Sequence, residues 1–320
     1  MSSIYCTSCP VTTAVNLELA AAAPSTHPVS VLPKANFLAI TWTESETGAM
    51  AVVFGGGKYN FKPLSNNNYT PLVIPGMALP SGATCHAHFF QATVGGKSVV
   101  CMKSEFHPKS ETAATTLFFE KILGSAPHPN FGCLITSGTA GGLGANLDVG
   151  DVVVTNQARY GLTLPPAKQA LVFNGASNIL GSNPPAGYAT WFDYATEKII
   201  QADACVNSGL LTSGGRKSSS PKPAIYYQPS GGDPTDIVTD ERDSTLECTQ
   251  IAAYRKLGAT VDENDAYVAE ACKAVGFQNW ISIRNVSDLP CTTNQNQYTE
   301  FGYCSSINGA YAVWAFVMGH

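Results

Sequence analysis

LITSGTAGGLGANLDVGDVVVTNQARY, residues 134–160, sets the architecture of the rest of the chain. An apolar run, FGCLIT, climbs to a glycine cluster, and a second apolar run, GDVVVT, leaves it after one short polar excursion. That pattern predicts strand, tight loop, strand. Gly138, Gly141, Gly142 and Gly144 remove side chains where backbone N–H groups would approach a ligand closely, so the loop is a candidate pocket floor. The competing reading is a plain tight turn. Two nucleotide-binding readings fail on context. No glycine here is followed by Lys and Ser or Thr, as a Walker loop needs. After Gly142 and Gly144 the chain returns to a strand instead of opening the helix of a dinucleotide fingerprint.

Outward from that stretch, 320 residues at 44% hydrophobic and 13% charged can bury a large core. Residues 1–35, small-residue rich in LELAAAAPS but without a basic n-region, read as a poorly ordered or surface-packed arm, and 36–320 as a single domain. No stretch approaches the roughly 18 to 20 apolar residues of a membrane span, so no membrane association is expected. The net charge of −5, with scattered Lys and Arg, argues against nucleic acid. A cytoplasmic location is expected, with export left open. The ten cysteines are spread along the chain, and those in apolar runs, such as Cys101 and Cys133, read as buried thiols. Cys6 and Cys9 form a C-x-x-C without a second ligand pair, and Cys291 and Cys304 could pair if the protein is exported. Neither a metal nor a cofactor is expected.

Carboxylates gather where strands pass into helices. Asn36–Thr43 reads as a strand running into ESETGAMAVVF, a helix with Glu44 and Glu46 in its first turn. Open α/β sheets place their chemistry at such strand mouths, although helix N-terminal charge explains the acids equally well. Residues 56–83 read as a long loop. His86 and His88 could share one face of a strand, but with no further ligand nearby they read as an ordinary strand entry. FFQATV, Gly95-Gly96 and SVVCMK read as a hairpin. A helix after Pro108 would bury Ala114, Leu117, Phe118 and Ile122. Further helices are expected over about 191–211, over TLECTQIAAYRKLG and at SSINGAYAVWAFVMG. Asp262, Glu263 and Asp265 lie at a strand-to-helix junction whose helix buries Val268, Cys272 and Val275. NWISIRNVSDLP is a strand ending in Arg284, Asn285, Ser287 and Asp288. Strands alternating with helices predict a three-layer α/β sandwich with a mixed, mostly parallel central sheet.

SGTAGGLGANLDVGDVVV, then VDEND, then SIRNVSD resembles the purine nucleoside phosphorylase and nucleosidase superfamily. Its members carry, in the same order, T-G-S/T-A-G-G-L with L-x-V-G-D-V-V-V, a V-E-M-E ribose-binding junction, and I-R-x-x-S-D. The opening TWTESE is similar to the family's first strand. The resemblance implies that Asp288 is the general acid toward N7 of a purine, and that Thr139, Ala140 and Gly141 face the nucleophile and sugar. It implies that Glu46 is the carboxylate which, in the nucleosidase branch, activates water. Asp262, Glu263 and Asn264, with Ser287 beside the acid, complete the implied site. This chain departs from V-E-M-E, since Asn264 stands where the sugar-chelating glutamate is expected; Glu263 is the favoured substitute, with Asp265 the alternative.

Breaking a purine N-glycosidic bond needs an acid over the base, another group near the sugar and a nucleophile opposite. A phosphorylase must hold a dianion with arginine or a comparable cation near the glycine loop. Thr136, Ser137 and Gly138 stand where the hexameric phosphorylases have theirs, and Lys103, His107 and Lys109 are the available substitutes. The expectation is a purine ribonucleoside hydrolase, with a phosphorylase as runner-up and a non-catalytic nucleoside-binding or storage protein as the third reading. The implied partner is a small nucleoside, in a homo-oligomer. The segment Gly231–Asp243 is expected near the six-position of the base.

Overall fold

The computed structural model describes residues 27–55, 69–108, 111–124, 130–176, 223–227, 237–239, 248–290 and 297–320. Among them, twelve strands form one sheet. The strands are β1 Ala35–Thr41, β2 Thr70–Leu72, β3 Ala87–Val94, β4 Lys97–Ser104, β5 Phe131–Gly142 and β6 Val152–Thr155. They continue as β7 Gln157–Tyr160, β8 Val172–Asn174, β9 Ile225–Tyr227, β10 Ile237–Thr239, β11 Thr260–Asp262 and β12 Trp280–Asp288. The helices are α1 Glu44–Phe54, α2 Thr112–Leu123, α3 Pro166–Gln169, α4 Cys248–Tyr254, α5 Asp265–Val275 and α6 Gln297–Gly319. The order β2-β3-β4-β1-β5-β11-β10-β7-β8 carries a branch in which β12 lies between β5 and β6. β4, β1, β5 and β12 run parallel, while the β3–β4 hairpin and the β5–β11 pairing are antiparallel. The expected mixed, mostly parallel sheet is present.

Two helical layers cover it. α1 and α6 bury Met50, Phe54, Val313 and Phe316 against Phe37, Val99 and Ile135 on one face. α2 and α5 bury Phe118, Phe119, Val268 and Cys272 against Leu38, Leu134 and Trp280 on the other. α6 is buried nearly all round, which a helix can be only when packed on several sides. No helix of the described residues is long and apolar enough to cross a membrane.

Three local expectations change. The glycine cluster is not a loop: β5 runs through Gly142, because β12 pairs with it as far as Gly141 and β11 pairs with Gly141 and Gly142 from the other side. The reversal comes later, at Gly144–Gly150, where Gly150 adopts a φ of 91°. Leu117 is exposed, and Thr115, Phe118, Phe119 and Ile122 form the buried stripe of α2 instead. Within the expected loop 56–83, Thr70–Leu72 adds an edge strand on Ala87–Phe89. Most of the arm, Cys6, Cys9, Lys109, the 191–211 helix and Cys291 lie outside the described residues.

Candidate active site

Thr43 caps α1 in a capping box: its hydroxyl accepts from the Glu46 N–H, while the Glu46 side chain turns back over the strand end. That return brings the carboxylate to β5. Glu46 Oε2 accepts from the N–H of Trp42 and Thr43, each at 2.9 Å, and Oε1 accepts from the Thr139 N–H and hydroxyl, each at 2.8 Å. Four donors fill the carboxylate's lone-pair positions, and only the Thr139 hydroxyl can rotate away. Gly138 is required beneath it, since a Cβ there would lie 2.6 Å from Glu46 Cδ.

Three residues further along β5, about 10 Å in extended chain, Asp288 meets Gly141; a Cβ at Gly141 would lie 3.5 Å from Asp288 Oδ2. A register shift between Val286 and Asp288 turns the last residues of β12. Ser287 Oγ donates to Asp288 Oδ1 at 2.6 Å and contacts the Ala140 carbonyl at 3.4 Å. Burial raises the Asp288 carboxyl above the ordinary carboxylate range, opposed by the Ser287 hydrogen bond. A carboxyl so shifted can carry a proton to a basic ring nitrogen.

The junction Asp262–Asp265 behaves differently from its sequence pattern. Asp262 and Asp265 face inward onto Arg284, which is fully buried. Arg284 Nη2 lies 2.7 Å from Asp262 Oδ2, Arg284 Nε donates to Asp265 Oδ2 at 3.0 Å, and Nη2 also pairs with Asp265 Oδ1. Ser282 donates to the same carboxylate, and the Trp42 ring covers the guanidinium at 4.8 Å. Burial alone would weaken the arginine's hold on its proton, but Asp265, then Asp262, raise it instead. Glu263 turns away to His107, 3.4 Å from its Nε2. Asn264, at the N-cap of α5, is buried, and its Oδ1 has no hydrogen-bond partner among the described residues.

The residues thus form two groups on one strand. Glu46, Thr139, Arg284, Asp262 and Asp265 connect at Gly138–Thr139, where Arg284 Nη1 also donates to the Thr139 carbonyl at 3.3 Å. Ala140, Gly141, Ser287 and Asp288 gather at the end of β5. Arg284 corrects the expectation that no arginine stands beside the glycine cluster: β12 pairs it with Gly138 in register. Its strand position was visible in sequence, but nothing there marked it as the partner of two aspartates. Of the other cations, Lys103 Nζ lies 2.6 Å from Glu105 Oε2. Cavities of about 270 Å3 beside β8 and α5, and of about 330 Å3 at the N-terminal ends of β1 and β5, lie away from these groups. Residues 231–236 and 240–243, expected near the base, lie outside the described residues.

A family model described as the phosphorylase superfamily matches residues 50–312. A 5'-methylthioadenosine/S-adenosylhomocysteine nucleosidase of Halalkalibacterium halodurans is 26% identical over 234 residues, covering 72% of this chain and 84% of the relative. The enzyme of that name from Psychromonas ingrahamii is 35% identical over 72 residues, and the match spans only 28% of its length and 22% of this chain. Among solved structures, the nucleosidase of that name from Neisseria meningitidis, in complex with methylthio-immucillin-A, superposes with a TM-score of 0.54 at 18% identity. That match covers 89% of this chain and 99% of the other.

Proposed function

The chain belongs to the phosphorylase superfamily, and from that membership we propose that it hydrolyses the N-glycosidic bond of purine ribonucleosides, releasing the base and ribose. Adenosine-type nucleosides with a 5'-thio substituent, the compounds named in its relatives, are the first substrates to try. In this reading the proton of Asp288 passes to N7 of the purine as the bond from N9 to the sugar carbon breaks. The departing base takes the bonding electron pair, and oxocarbenium-like charge grows on the sugar. A water oxygen bonds to that carbon from the opposite face while Glu46 accepts the water proton, after the Thr139 hydroxyl has rotated from its carboxylate. Asn264 Oδ1, a buried acceptor without a partner among the described residues, is assigned to a sugar hydroxyl.

The observation that carries hydrolysis over phosphorolysis is the state of three basic side chains among the described residues. Arg284 is enclosed by Asp262 and Asp265, Lys103 pairs with Glu105, and His107 pairs with Glu263. A phosphate dianion would have to displace a carboxylate to reach any of them. The test is base release from adenosine, inosine, guanosine and 5'-methylthioadenosine with and without phosphate. Hydrolysis predicts free ribose, or its 5'-thio derivative, at equal rates in both buffers; turnover that strictly needs phosphate overturns it. A homo-oligomer is part of the same reading, checked by sedimentation.

A further inference from the structure

At the open end of the β3–β4 hairpin, opposite the Gly95–Gly96 turn, three side chains converge that the glycosidic chemistry does not use. We propose that Cys85, His88 and Glu105 form a binding site for one soft divalent cation of the Zn2+ type. Cys85 Sγ lies 3.5 Å from both ring nitrogens of His88, and His88 Nδ1 lies 2.9 Å from Glu105 Oε1. One ligand atom from each of the three lies within 4.8 Å of the others. A tetrahedral zinc with Zn–S of about 2.3 Å and Zn–N of about 2.0 Å holds sulfur and nitrogen about 3.5 Å apart, the spacing already present. The nitrogen–oxygen pair needs to open by only a few tenths of an ångström.

Thiolate, imidazole and carboxylate together suit zinc and exclude the all-oxygen preference of magnesium and calcium. Lys103 grips Glu105 through Oε2 alone, leaving Oε1 for the metal and fixing the carboxylate's orientation. The side chains of His88 and Glu105 are 22% and 19% exposed, so water can reach a fourth coordination position. His86, two residues from His88, is no ligand: its Nδ1 accepts from the Ile74 N–H at 3.0 Å and its Nε2 contacts the Met77 carbonyl at 3.2 Å. A metal takes up the thiolate and the neutral imidazole, so binding releases protons and strengthens as pH rises.

The site lies beside the candidate active site without sharing its residues. β4 is parallel to β1 with Lys103 opposite Thr41, one residue before Trp42. Two residues after Glu105, His107 reaches Glu263. An ion there would fasten this segment to the hairpin.

The test uses the full chain carrying Cys6→Ser and Cys9→Ser, which removes the C-x-x-C as a competing thiol site. Titration with Co2+ is expected to give a near-ultraviolet thiolate-to-metal band and the visible bands of a four-coordinate site, both abolished by a single equivalent of Zn2+. Cys85→Ser removes the thiolate band, and His88→Ala weakens Zn2+ binding at least about tenfold. No thiolate band, or one unchanged in Cys85→Ser, overturns the proposal. Glu105→Gln, which preserves shape, covers the case in which the Cys85 variant does not fold: it is expected to weaken Zn2+ at least about tenfold, and unaltered affinity overturns the proposal equally.

Discussion

Arg284 and Asp265 are bound through two parallel contacts between a strand and the first turn of a helix, each side chain only 1% exposed. Asp262 closes the same guanidinium from the preceding strand. Three charges buried together hold only while all are present, since removing one leaves the others desolvated and unpaired. Arg284→Met is therefore expected to cost about 3–5 kcal/mol of stability, read as a lowered urea midpoint. Arg284→Lys, which keeps charge but loses the two-point contact, is expected to fall between the two proteins.

Glu46→Gln separates the carboxylate's two tasks. The amide keeps one oxygen for two of the four donors but turns its NH2 toward the other two, a loss of about 1–3 kcal/mol. As the proposed acceptor of the water proton, Glu46 supplies roughly 10²–10⁴ in rate. The expected result is a folded protein whose kcat falls within that range while nucleoside binding persists. A variant with unaltered kcat would remove Glu46 from the mechanism.

Gly138→Ala tests the same carboxylate from below. The added methyl would sit 2.6 Å from Glu46 Cδ, far inside contact distance, so the glutamate must leave its four donors. Activity is expected to fall as in Glu46→Gln although no titratable group is changed. Combining the two substitutions is expected to cost less than the sum of their separate effects, because both act on one group.

The acid has its own signature. Asp288 is raised by burial, so it keeps its proton to higher pH than an ordinary carboxyl and loses it as pH climbs through its folded-state pKa. An acid must be protonated to work, so kcat/KM is expected to fall on that alkaline side, and Asp288→Asn to abolish the limb together with most of the rate. Ser287 donates to the ionised form and lowers the pKa. Ser287→Ala is therefore expected to move the limb to higher pH, a shift seen in a pH–rate profile.

What the sequence could show of this arrangement follows from the range of its signals. Hydrophobic runs and acids at helix starts are local, so β1 into α1, the Gly95-Gly96 hairpin and β12 up to Asp288 were readable one segment at a time. The glycines of β5 were not, since an extended Gly138–Gly142 depends on β11 and β12 pairing from distant parts of the chain. Leu117 was misplaced because helical spacing alone does not say which of two adjacent stripes faces α5. The V-E-M-E departure could be seen, but not that both aspartates of VDEND turn to Arg284, about twenty residues further on. Glu105 was hidden from His88 for the same reason: they meet only across the hairpin.

His88 offers a stability measurement independent of any substrate. Its pKa is raised from the usual 6.5 to about 9, first by the hydrogen bond with Cys85, then by Glu105, with burial opposing both. In the unfolded chain the imidazole loses its proton near pH 6.5, whereas the folded protein keeps it. The folded state therefore binds more protons across this interval, and its advantage is complete below about pH 6.5 and lost as pH rises through about 9. Metal-free protein is expected to lose stability steadily in urea melts from pH 6.5 to 9, and His88→Gln to flatten most of that slope. An equal slope in the variant would place the proton uptake on another group.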